Sequence, residues 1–124
     1  PLALHYWANN VIVPAAANID NVNTWRYIQV MEFEWSDQKN EANQEKHDIS
    51  FEEAREVFED PLQISKLDHR FSYFEERWIT VGSSRRLQIL VVANLFFSDE
   101  GEEIIRIISA REANSDEVEM YEKC

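Results

Sequence analysis

The sequence predicts an α+β domain in the order β-α-α-β-β-β-α, a small antiparallel sheet with helices packed on it. Three observations carry this expectation. Met31-Glu-Phe-Glu-Trp35 alternates apolar and acidic residues, the period of a half-buried strand. Residues 37–60 read as two short helices joined at Asp48–Ser50. Leu87–Phe97 is almost entirely apolar, as a central strand buried on both faces should be.

Residues 1–30 hold one acid (Asp20) and one base (Arg26), and charge density rises abruptly at Met31. We read 1–30 as a leader or appendage, possible vector or upstream sequence, and 31–124 as the domain. Asn23–Val30 has enough β-branched and aromatic residues to extend the following strand backwards, or the leader could add a strand elsewhere.

In the second helix Ser50 and Glu53 are spaced as a capping box, the hydroxyl taking an orphan amide and the Glu returning to the cap. Ile49 can staple onto Ala54, and Phe51, Ala54, Val57 and Phe58 form one apolar stripe. Pro61 biases Asp60 out of the helical region and ends the helix. The first helix differs in kind: between Gln38 and His47 its only apolar residue is Ala42, so its surface must meet water or a polar partner. Lys39, Asn43 and His47 share one face at i, i+4, i+8, a first sign of a site, although a solvated helix face is the ordinary reading.

Further strands are expected at Leu62–Leu67, Arg77–Gly82, Leu87–Phe97 and Glu103–Arg111, with a polar and aromatic loop at Asp68–Glu76. Gly101 marks the turn before the last strand. Ser115 is expected to cap a final helix with Asp116 and Glu117 at its positive end and Val118 and Tyr121 facing inward.

The totals exclude several classes. No apolar run approaches the ~20 residues needed to cross a bilayer. The single Cys excludes an internal disulfide and a multi-Cys metal site, and cytoplasm is the default compartment. A net charge of −12, from 24 acids and 12 bases, argues against a broad nucleic-acid surface but leaves room for a small basic cleft. The three His residues (His5, His47, His69) show no metal spacing, so neither metal nor cofactor is predicted.

Three blocks occur in order: Trp35-Ser-Asp-Gln-Lys39-Asn40-Glu-Ala-Asn43-(x)2-Lys46-His47-(x)2-Ser50-Phe51-Glu-Glu-Ala54; Glu76-Arg77-Trp78-Ile-(x)2-Gly82; and Ile105-Arg-Ile-Ile-Ser-Ala-Arg111-(x)2-Asn114-(x)4-Glu119-(x)1-Tyr121. Together they resemble the BrnT toxin family over essentially all of 31–124, and 1–30 has no counterpart. The resemblance implies a compact RelE-like ribonuclease fold, cleavage of RNA that arrests translation, and a bacterial toxin–antitoxin pair. It also implies neutralisation by a ribbon-helix-helix antitoxin, through which alone DNA would be bound. The chain departs from the family pattern at Asp48, where Gly is usual and a left-handed cap is expected. It departs again at 112–124, where five acids and one Lys replace several bases.

Metal-independent RNA cleavage needs a proton carrier and fixed cations around phosphorus. His47 is the candidate carrier; Lys39, Arg77 and Arg111 are candidate phosphate ligands. Trp35 and Tyr73 could stack on splayed bases, and Asn43 shares the helical face as a candidate RNA contact. Each has an ordinary alternative: dipole compensation for His47, a surface ion pair for Lys39, an edge-strand charge for Arg77, core packing for Trp35. Arg106, alternating with isoleucines, is expected to pair with a carboxylate, leaving Arg111 the better candidate. The competing function is a non-catalytic toxin-like protein acting as partner or co-repressor of a DNA-binding protein. An acidic nucleic-acid mimic is a weaker third, disfavoured by the mixed charge of the first helix.

Overall fold

A computed structural model describes residues 4–8, 11–14, 32–69 and 76–123. One seven-stranded sheet runs β1 (Leu4–Ala8), β2 (Val11–Pro14), β4 (Ile64–Leu67), β5 (Arg77–Ser83), β6 (Ile89–Asp99), β7 (Glu102–Glu112), β3 (Glu32–Glu34) in spatial order. The helices are α1 (Asp37–His47), α2 (Phe51–Glu56, continued by a 3₁₀ turn Val57–Glu59) and α3 (Ser115–Lys123). The α+β class holds, with two corrections. The order β-α-α-β-β-β-α is one strand short, because all four segments after the helices form separate strands. The sheet is also mixed: β3 runs parallel to β7, while every other pair is antiparallel. The β1–β2 pair extends the sheet beyond β4; the proposed backward extension over Asn23–Val30 and the Tyr73 loop lie outside the described residues.

The α2 stripe is the core. Ile49, Phe51, Ala54, Val57 and Phe58 are buried against Leu90, Val92, Ile105, Ile107 and Ala110 of the sheet. Ser50 caps α2 as expected, its hydroxyl accepting from the Glu53 amide at 3.1 Å. The reciprocal half of the box is absent because the Glu53 carboxylate is taken by Arg86 (2.6 and 3.1 Å). Asp60 is extended before Pro61, ending the helical segment. The last helix is capped by Asn114 rather than Ser115. Asn114 Oδ1 accepts from the Glu117 amide and Glu117 Oε1 accepts from the Asn114 amide, both at 2.9 Å, a complete reciprocal box one residue earlier.

Gly82 is where the 3₁₀ turn meets β5. A Cβ there would stand 2.8 Å from Val57 Cγ1 and 3.3 Å from both Val57 O and Gln63 Cβ. Gly82→Ala is therefore expected to destabilise by about 1–3 kcal/mol through overpacking, read as a lower urea midpoint at unchanged m-value.

The β5–β6 turn closes with Ser84 N–H donating to Gln88 O and Leu87 N–H to Ser84 O, both at 2.9 Å. Leu87 has φ +67°, the left-handed position that such a turn ordinarily gives to Gly or Asn.

Candidate functional site

α1 is docked by amides instead of an apolar stripe. Its buried residues are Asn40 and Asn43. Asn43, 7% exposed, donates to Ile49 O (2.9 Å) and Ala110 O (2.8 Å), while its Oδ1 accepts from Ala110 N (3.1 Å). β3 pairs with β7 only over residues 104–106, so Asn43 takes the place that a longer β3 would occupy against Ala110. Asn40 does the parallel work for α2. Its Oδ1 accepts from Phe51 N (2.8 Å) and its amide donates to Glu52 Oε1 (3.1 Å). Asn43 thus has no donor left for RNA, a correction to its expected role; its hydrogen-bonding groups are spent on backbone. Asp48 ends α1 in the left-handed region (φ 58°, ψ 34°), as its place in the motif required.

Lys39 and His47 lie one turn either side of this clamp, about 12 Å apart along the helix axis. Lys39 is exposed in the first turn and His47 half-buried in the last. Arg111 follows Ala110 on β7 but projects from the face turned away from α1 and α2, in the row Val81–Val91–Arg111. Arg77 shares that face in a different row, Arg77–Leu95–Arg106–Glu34. From strand rise and spacing, Arg77 and Arg111 stand about 16 Å apart at Cα. Lys39 and His47 therefore flank the Asn43–Ala110 anchor along α1, whereas Arg111 projects from the other face and Arg77 stands apart, so the four expected cations are not gathered in one hollow. No hydrogen bond or ion pair joins Lys39, His47 and Arg111 to one another among the described residues. Trp35 is half-buried and meets Phe51 edge-on (centroids 6.2 Å), so it packs at the core margin.

Among the described residues, surface carboxylates hold Arg85, Arg86, Arg106 and Arg111. Arg85 pairs with Glu56 and Glu59, Arg86 with Glu53, and Arg106 with Glu34, as expected for Arg106. Arg111 is held by both Glu117 oxygens at 2.8 Å. This pair was not legible in the sequence beyond the presence of an acid in the first turn of α3. The Arg111 hydrogen bond holds the Glu117 carboxyl below its ordinary range, and the same bond raises Arg111. A carboxyl depressed in the folded state stabilises above its unfolded pKa and loses that contribution as pH falls through its folded value. With Arg111 44% exposed, the gain is on the order of 1 kcal/mol or less. Glu117→Gln is expected to lower the urea midpoint slightly at neutral pH, with the gap to the parent closing below the ordinary glutamate range.

Among the described residues no group of three or more His, Cys, Asp or Glu could hold a metal ion, and no helix is long and apolar enough to cross a membrane.

The family model described as ribonuclease toxin, BrnT, of type II toxin–antitoxin system matches residues 35–117, which hold the clamp and all four candidate charged residues. The chain belongs to the BrnT toxin family. The 1.1 Å crystal structure of the Brucella abortus ribonuclease toxin BrnT is similar at 22% identity and a TM-score of 0.49, covering 69% of this chain and 100% of that one. No curated protein matches. In this BrnT-family chain the matched segment begins at Trp35, so β1, β2 and β3 lie before it.

Proposed function

We propose that the chain is the ribonuclease toxin of a type II pair, acting in the cytoplasm on RNA to inhibit translation. The observation that carries this reading is the family match across residues 35–117. In this reading His47 takes the proton from a ribose 2′-hydroxyl as its oxygen attacks the adjacent phosphorus. The P–O5′ bond breaks, the 5′-oxygen takes a proton from solvent, to which His47 returns the one it removed, and a 2′,3′-cyclic phosphate and a 5′-hydroxyl end result. Lys39, about 12 Å along α1 from His47, holds a phosphate on that side, and Arg111 and Arg77 hold neighbouring phosphates where the strand crosses the other sheet face. Trp35 and Tyr73 supply stacking surfaces for unpaired bases. The neutralising partner is a ribbon-helix-helix antitoxin, and DNA is reached only through it.

The Arg111–Glu117 pair favours a second reading, a non-catalytic toxin-like partner of a DNA-binding protein, since phosphate must displace a carboxylate already seated on the guanidinium. The test is incubation of the purified chain with a fluorescently labelled single-stranded RNA over a range of salt. Cleavage to a cyclic-phosphate end supports the toxin reading; intact RNA at every salt concentration supports the partner reading. In the first case Glu117→Gln frees Arg111 and is expected to tighten RNA binding about fivefold at low salt, matching a gain of roughly 1 kcal/mol.

A further inference from the structure

The β5–β6 turn is built at a cost that packing within the chain does not explain. Leu87 is 84% exposed and holds a left-handed backbone that a Gly would adopt freely. An apolar side chain is thus held out into water by a strained backbone, and it forms the wall between two hollows. One, of 370 Å³, is lined by Glu56, Glu59, Asp60, Arg85 and Tyr121. The other, of 600 Å³, is lined by Asp48, Arg86, Glu112 and Val118. Val118 and Tyr121 are the half-buried face of α3, so Leu87 and α3 present apolar surface between acidic rims. The other large apolar side chains exposed among the described residues flank the same corner. Leu62 (62%) donates its amide to Asp60, and Met120 (41%) precedes Tyr121 on α3. Asp60 in turn joins the corner together, accepting from Tyr121 OH at 2.5 Å and Ser83 N at 2.8 Å.

The charge selects the occupant. Arg85 and Arg86 are already paired with Glu59 and Glu53, so the rims keep a surplus of carboxylate. A second copy of a chain carrying −12, or a nucleic acid, would bring like charge to like. We propose that the Leu87 tip and its two hollows form a docking surface for a basic, amphipathic segment of a partner protein. An apolar anchor of that segment seats against Leu87, Val118 and Tyr121, and flanking Lys or Arg side chains meet Glu56, Glu59 and Glu112.

The test uses the full chain, a fluorescent Leu/Lys amphipathic peptide and its Leu/Glu counterpart, with binding read by anisotropy. The parent is expected to bind the Leu/Lys peptide and not the Leu/Glu peptide. Leu87→Gly is expected to weaken binding about tenfold while its urea midpoint stays level or rises, because the turn is relieved as the anchor surface is lost. Equal affinity in Leu87→Gly, binding of the Leu/Glu peptide, or no binding of either peptide would overturn the proposal. So would a dimer seen by sedimentation in the parent and lost in Leu87→Gly, which would make the occupant a second copy. Leu87 is not among the residues assigned to cleavage, so RNA cleavage measured in parallel is expected to be unchanged in Leu87→Gly, and this surface and the ribonuclease reading stand or fall separately.

Discussion

Replacing Asn43 with Ala is expected to destabilise the domain by about 3 kcal/mol or more and to abolish RNA cleavage with it. The substitution leaves Ala110 N, Ala110 O and Ile49 O buried without the partners Asn43 supplies. Each orphaned buried group costs roughly 1–3 kcal/mol, and three at the low end already remove a large part of a typical domain's stability. Asn43→Asp is the sharper variant. It keeps the acceptor for Ala110 N but turns oxygens toward Ala110 O and Ile49 O, where donors stood. It should be no more stable than the Ala variant despite its near-identical shape. Urea unfolding of the two variants beside the parent decides the matter; a change within a few tenths of a kcal/mol in either would show that α1 is not held by this clamp.

His47→Ala is expected to do the reverse, lowering RNA cleavage by about 10²–10⁴-fold while leaving the fold nearly intact. His47 is half-buried in the last turn of α1, and its side chain forms no hydrogen bond among the described residues. Removing it costs its interaction with the helix dipole, roughly 0.3–1 kcal/mol, and the packing of a half-buried ring. Initial rates on labelled RNA, paired with unfolding curves, separate chemistry from folding. Undiminished cleavage by a well-folded His47→Ala variant would remove His47 from the mechanism, and Lys39→Ala and Arg111→Ala would then be compared for the remaining activity.

The parts of this molecule that were legible in the sequence are those set by neighbours along the chain. Alternation placed β3, the Phe51–Phe58 stripe placed the core helix, and Pro61 placed its end. The parts that were not legible depend on distant residues. Nothing local announces that Glu34 lies beside Arg106, which makes the sheet mixed. Glu53 has the spacing of a capping residue, yet an arginine 33 positions away takes its carboxylate. Asn43 was singled out for the right helical face and the wrong purpose. Its spacing with Lys39 and His47 said that they share a side; only the edge of β7 says which way that side faces. A signal was available in the pair Asn40 and Asn43. A helix without an apolar stripe must dock through something, and amides three residues apart are what it had.

The parallel pairing of β3 with β7 also sets a timetable. Glu34 and Arg106 are separated by 72 positions, so β3 has no strand neighbour until β7 has been made. At common rates of synthesis that interval is roughly 4–14 s. The same wait applies to Asn43, whose partner Ala110 comes later still. A growing chain on the ribosome therefore carries α1 tied to α2 but not yet to the sheet, and the arrangement of Lys39 and His47 relative to Arg111 comes into being only once β7 has been made.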